Sequence, residues 1–159
     1  MDNAKMPLGQ FVAALMHAAT GTNRIDQTSL LLLVYLCDWH SCVKYNCHVV
    51  DIGWKVFRYG LADDGLETYL RGPNTEFMVD DIKQEIVCLM EPPTNIPEQV
   101  GNVISRVVSL YNEKKNSGLA TFALSTFPIL SSSAHMLEPV DLLEKAREYA
   151  DIRDSESSS

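Results

Sequence analysis

One stretch of the chain is apolar at every position, and it constrains the fold more than any other feature. Residues Leu30 to Leu36 read Leu-Leu-Leu-Leu-Val-Tyr-Leu. A helix built from them is apolar around most of its circumference, so other elements must surround it. The apolar run ends before Asp38, so it is shorter than the about 20 residues that a helix needs to span a bilayer. The stretch therefore predicts a buried central helix, capped by Asp26 or Thr28 and ending near Tyr45.

The rest of the chain shows mostly helical spacing of its apolar residues. Further helices are expected over residues 8–19, 80–90, 98–111, 117–127 and 139–150. Pro128 is expected to end one of them and Pro139 to begin the last. Asn46 is expected to end the central helix in the left-handed conformation.

The pattern of residue types changes after the central helix. β-branched and aromatic residues in partial alternation predict a small β-strand or hairpin around residues 49–59. Glycine, aspartate and proline predict a loop over residues 61–74, with a short helical piece over residues 66–70. The expected fold is mainly α, a compact bundle of about six helices with that one β-element. It fills a single domain over residues 1–150, and a flexible polar tail follows over residues 151–159.

Composition narrows the possible partners. The 159 residues carry 13 Lys+Arg against 21 Asp+Glu, a formal net charge of -8. A general electrostatic grip on nucleic acid or on an anionic membrane needs a basic surface, so neither partner is expected. The 4 cysteines are too sparse for a disulfide scaffold. They indicate reduced thiols and a cytoplasmic protein.

Catalytic and metal-binding patterns are weak. Cys37, His40, Cys47 and His48 have the residue types of a zinc site, but only the first two have ligand-pair spacing. The sequence has no G-x-S-x-G elbow and no phosphate-binding glycine loop. Neither an enzyme nor a cofactor is therefore expected. A small metal-dependent hydrolase that uses His40 with Cys37 or Asp38 remains an alternative.

Two blocks of the sequence resemble the Panacea domain, the SocA-like antitoxin domain of bacterial and phage proteins. The first block comprises Leu31–His40, Lys44–Asn46, Asp51–Trp54 and Phe57–Gly60. The second comprises Leu124–Leu130, Pro139–Leu143 and Ala146–Tyr149. The resemblance covers the chain from about Gln27 to Tyr149. The chain departs from the family pattern at Leu61, where the family usually has proline, and at Asn46, where it has glycine.

The resemblance implies a helical antitoxin that neutralises a cognate toxin by direct protein–protein contact, with delivery of the toxin to a protease as one mode. It implies no cofactor and no catalytic residue. A phage-encoded or prophage-encoded regulatory or structural protein that acts on a host factor is the alternative within the interaction class. The acidic balance hints that the partner presents a basic surface, because complementary charge accelerates association.

Candidate partner-binding residues follow from residue type and position. Exposed Trp, Tyr and Arg dominate binding hot spots, and flexible loops carry recognition residues. The candidates are Trp39, Arg58, Tyr59, Asp63, Asp64 and Arg71.

Overall fold

The structure, a computed structural model, describes residues 6–58, 60–114 and 118–157; the side chains of residues 64 and 157 are outside the description. These residues form seven helices and six strands. In chain order they are α1 (Leu8–Thr20), β1 (Arg24–Asp26), α2 (Gln27–Tyr45), β2 (Gly53–Phe57), β3 (Gly60–Asp64), α3 (Leu66–Arg71), β4 (Phe77–Asp80), β5 (Glu85–Cys88), α4 (Glu98–Glu113), α5 (Gly118–Leu124), α6 (Phe127–Leu130), β6 (Glu138–Val140) and α7 (Leu142–Ser157).

Helix α2 lies at the centre, as its apolar run predicts. It contacts α1, α4, α5 and α7. Leu33, Val34 and Tyr35 have no exposed surface. The Asp26 carboxylate accepts a hydrogen bond from Ser29 N at the start of the helix, and Asn46 ends it with φ 57°. Both caps were expected, and the structure confirms them.

The predicted mainly α bundle is wrong, because six strands form two antiparallel sheets. Sheet A has the strand order β1-β5-β4, and sheet B has the order β3-β2-β6. In sheet B, Trp54 is opposite Asp63 on one side and Val140 on the other. Helix α3 contacts both β3 and β4, so it bridges the two sheets. The protein is a mixed α/β structure around one buried helix.

The largest local difference concerns residues 80–90, which form a hairpin rather than a helix. Asp80 Oδ1 accepts hydrogen bonds from the backbone N–H groups of Ile82 and Lys83, and Gln84 has φ 56°. An aspartate that bonds to the backbone two or three residues ahead starts helices and turns alike. Ile82, at the turn between β4 and β5, is 97% exposed.

The predicted loop over residues 61–74 is wrong in its first part, which belongs to β3. The short helical piece expected over residues 66–70 is confirmed as α3. Strand β3 pairs with β2, so the expected hairpin exists but spans residues 53–64.

In the C-terminal third, the structure differs from the prediction at two prolines and at the tail. Pro128 lies in the first turn of α6 instead of ending a helix, a position where its missing N–H leaves no bond unmade. Pro139 lies in β6 at the edge of sheet B, where strands tolerate proline. The expected polar tail is helical through Ser157. In the part of the chain that the structure describes, no helix combines the length and apolarity required to cross a bilayer.

The left-handed cap of α2 gives a direct test of this helix end. Asn46→Ala should lower the free energy of unfolding by about 1 kcal/mol, because a Cβ-bearing residue without a capping amide is strained at positive φ. Asn46→Gly should be close to neutral. Urea unfolding of both variants measures the difference, and equal stabilities would contradict the left-handed cap.

Candidate functional site

A buried carboxylate organises the centre of the molecule. Asp38, on α2, has no exposed surface. Its Oδ1 accepts a hydrogen bond from Val49 N at 2.9 Å, and its Oδ2 accepts from Trp54 Nε1 at 2.9 Å and is 2.9 Å from His48 Nδ1. Cys42 Sγ lies 3.7 Å from the same His48 nitrogen. These five residues are called the Asp38 cluster below.

The Asp38 cluster joins elements that are separate in the sequence. Asp38 belongs to α2, Trp54 to β2, and His48 and Val49 to the connection between them. A buried carboxylate is tolerated only when hydrogen bonds replace its hydration, and N–H donors supply that replacement here. The cluster therefore fixes sheet B onto the central helix.

The network continues from Trp54 to the C-terminal half of the chain. The Trp54 ring packs edge-on against Tyr35, with ring centroids 5.4 Å apart. The Tyr35 hydroxyl lies 2.7 Å from Thr126 Oγ1, which in turn donates to Ala123 O. Tyr35 is thus the donor in the first bond. Burial raises the pKa of its hydroxyl well above the usual value, so it stays protonated as that bond requires.

The geometry of the Asp38 cluster does not suit nucleophilic catalysis. In a nucleophile–histidine–carboxylate triad, the two histidine nitrogens face the two different partners. Here Cys42 and Asp38 both approach His48 Nδ1. Burial, followed by the nearby Asp38 charge, raises the pKa of the Cys42 thiol well above its usual value. Cys42 therefore stays a thiol, whereas catalysis needs a thiolate.

The same residues provide the one group of three potential metal ligands within the described part of the chain. Ligand atoms of Asp38, Cys42 and His48 lie within 4.8 Å of one another. Metal binding would need the thiolate and a free Nδ1 lone pair. Both carboxylate oxygens, however, already accept hydrogen bonds, and the Cys42 pKa is raised. The donor set fits a hydrogen-bond network better than a metal centre.

The four residues with zinc-ligand chemistry, Cys37, His40, Cys47 and His48, are not brought together. Of these four residues, only His48 belongs to the three-ligand group. Cys37 is buried, and burial raises the pKa of its thiol. His40 lines a separate cleft with Arg106. The four cysteines are free. The alternative of a hydrolase built on His40 with Cys37 or Asp38 receives no support from this arrangement.

The candidate partner-binding residues fall in different environments. Trp39 is only 9% exposed and packs against Tyr149 with ring centroids 6.0 Å apart. It was expected at the surface, and the packing of α7 covers it. Arg58 is exposed at the turn after β2, where its backbone N donates to Ala134 O. Tyr59 lies outside the described residues, as does the side chain of Asp64.

Asp63 and Arg71 meet at one cleft. The cleft, of about 170 Å³, lies between the start of α2, helix α3 and sheet A. Its floor is apolar, and its rim carries Asp63, Glu67 and Arg71. Arg71 forms ion pairs with Glu67 at 3.0 Å and with Asp81 at 2.9 Å. The rim has two carboxylates against one guanidinium, which is itself paired with Asp81 from outside the cleft. The rim is therefore acidic, and this site is called the acidic-rim cleft.

Two further features of this surface were not expected from the sequence. Gln27 Nε2, from a residue that lines the acidic-rim cleft, is buried and has no hydrogen-bond partner among the residues that the structure describes. Ile82 and Met78 expose 97% and 47% of their surface on the hairpin that carries Asp81. Nothing local in the sequence marks Gln27, and the hairpin was mistaken for a helix. The side chains of Ile82 and Met78 therefore leave apolar surface exposed on this hairpin.

Comparison with known proteins adds no relative. No family model, no curated protein and no solved structure matches this chain.

The structural role of Asp38 predicts a large loss of stability on its replacement. Asp38→Ala leaves the Val49 and Trp54 N–H groups buried without acceptors, at about 1–3 kcal/mol each. Urea unfolding should show a loss of about 3 kcal/mol or more. Trp54→Phe, which removes one donor, should cost less. An unchanged or increased stability of Asp38→Ala would contradict this role, because removal of a catalytic or metal-binding carboxylate is often stabilising.

The raised thiol pKa values predict slow modification of the buried cysteines. Cys37, Cys42 and Cys88 are buried, and Cys47 is partly exposed. With a disulfide reagent at pH 8, the native protein should show one fast thiol and the urea-unfolded protein four, because the reaction needs an accessible thiolate. Cys47→Ser should abolish the fast phase. A fast phase that persists in this variant would place a reactive thiol elsewhere.

Proposed function

We propose that this chain is an antitoxin-type interaction protein that neutralises a cognate toxin by direct contact in the cytoplasm, without catalysis. The observation that carries the proposal is that the two Panacea-like sequence blocks meet in one interior. Tyr35 of the first block bonds to Thr126 of the second, and Trp39 packs on Tyr149. Because the two blocks are far apart in the sequence but share one core, we take their resemblance to the Panacea domain as a signature of the fold and not as a chance match.

The polar residues of the first block also have an internal role. Asp38 and Trp54, both within the Panacea-like pattern, bond to each other in the Asp38 cluster. Their chemistry is used to hold the fold, which leaves the surface for recognition. This division of labour is expected of a protein that acts by binding.

The acidic-rim cleft and the adjoining hairpin are the proposed contact surface. An apolar floor beside Asp63 and Glu67 suits an apolar side chain of the toxin next to a lysine or arginine. Ile82 supplies an exposed apolar contact beyond the rim. The net charge of -8 adds long-range attraction toward a basic partner. Arg58 and Tyr59 stay predicted contact residues.

Co-expression tests the proposal. The chain is produced in cells together with the product of the neighbouring gene, and growth and affinity capture are measured. A toxic neighbour that is rescued and captured stoichiometrically supports the proposal. A harmless neighbour that is not captured contradicts it, and capture of a host protein instead favours the host-factor alternative. Capture of the toxin together with a protease, with loss of toxin over time, would indicate delivery rather than direct inhibition.

Charge reversal locates the surface. Asp63→Lys combined with Glu67→Lys should slow association with the toxin by about tenfold or more and restore toxicity, since steering depends on complementary charge. Asp51→Lys combined with Asp151→Lys gives the same change in net charge at exposed positions outside the cleft. Association rates at low and high salt are measured for both. Equal effects of the two pairs would remove the acidic-rim cleft from the interface.

A further inference from the structure

A second cleft lies between helices α2, α4, α5 and α7, away from the residues of the acidic-rim cleft. It encloses about 440 Å³, and its aromatic wall consists of Trp39, Phe122 and Tyr149. A neighbouring cavity shares all three rings, so the aromatic wall extends beyond the cleft. The volume is in the range of pockets that hold small molecules. This site is called the aromatic cleft.

The ionisable groups that line the aromatic cleft are all basic. His40, Arg106 and Arg153 line it, and no described aspartate or glutamate does. In a chain with a net charge of -8, a cleft with only basic groups is unusual. Such a cleft attracts an anion, because low-dielectric walls concentrate the field of the charges that line it.

The basic groups also influence one another. The pKa of His40 is lowered, first by burial and then by the charges of Lys44 and Arg106. Arg106 forms no ion pair with any described residue. The Arg153 guanidinium lies 4.8 Å from the centroid of the Tyr149 ring, where cation–π attraction places it. The lining of the cleft thus contains no described acidic group that could offset the charge of Arg106.

We infer that the aromatic cleft binds a nucleotide, with the base against the aromatic wall and the phosphates at Arg106 and Arg153. Bases stack on aromatic rings with little dependence on sequence, and the guanidinium fork matches phosphate oxygens. A phosphate carries about two negative charges, whereas an acidic side chain carries one. Several basic groups in one cleft therefore favour a nucleotide over an acidic peptide. The site is separate from the proposed toxin surface, and the inference does not depend on it.

Titration of the purified protein with ATP tests the inference by calorimetry and tryptophan fluorescence. Trp39 lines the cleft, and Trp54, the second of 2 tryptophans, is 2% exposed and bonded to Asp38. Saturable binding with quenching is expected, together with weaker binding of tripolyphosphate and of adenosine alone. Absence of ATP binding overturns the inference. Tripolyphosphate binding as tight as that of ATP overturns the role of the aromatic wall.

Variants assign the binding to the cleft. Arg106→Gln should weaken ATP binding about 10-fold to 100-fold, the usual effect of losing a hydrogen bond between charged groups. Phe122→Leu should weaken ATP binding but leave tripolyphosphate binding unchanged. Arg147→Gln is the matched control, because this exposed arginine lies on α7 but does not line the cleft. Equal loss in the Arg106 and Arg147 variants, with unchanged thermal unfolding, would place ATP outside the cleft.

Discussion

The buried Asp38 carboxylate is the constraint on which the rest of the structure depends. A charge without exposed surface is stable only when donors surround it, so its presence on α2 dictates where the connection to β2 must run. Val49 and Trp54 meet that requirement, and Trp54 then packs on Tyr35, whose hydroxyl bonds to Thr126. One polar group in an apolar helix thus links both sheet B and the C-terminal half of the chain to the core. Such a network favours one arrangement of the elements, since other arrangements leave its members unpaired.

The part of the fold that depends on local signals was predictable. The apolar run with its caps at Asp26 and Asn46 specifies α2, and the apolar stripe of α4, which includes Val103 and Val107, is buried as expected. The β-structure was mostly missed, because short strands take their stability from distant partners. Strand β6 has three residues and exists only as the partner of β2, and β1 only as the partner of β5. Over residues 80–90, apolar residues at helical spacing led to the wrong element, because the pairing of β4 with β5 decides the structure there.

The candidate sites were likewise predictable only where the residue type alone was informative. Asp63 and Arg71 were predicted from residue type, and the structure brings both to one cleft. Trp39 stays a predicted contact residue but is less exposed than expected, because residue type alone does not distinguish an exposed tryptophan from one covered by α7. The Asp38 cluster was not foreseen, since its bonds join residues 10, 11 and 16 positions apart across the end of a helix. Two clefts of opposite charge character result: an acidic one suited to a basic partner and a basic aromatic one suited to an anion.

The exchange rate of the Trp54 indole N–H tests the central role of Asp38 most directly. In an NMR hydrogen-exchange measurement on the unmodified protein, this proton has a resolved signal, as 2 tryptophans give only two indole signals. If Trp54 donates to a buried Asp38, the indole proton and the Val49 amide should exchange only through global unfolding, with the same protection as the core of α2. Exchange of the indole proton within minutes, while the α2 amides remain protected, would contradict the account.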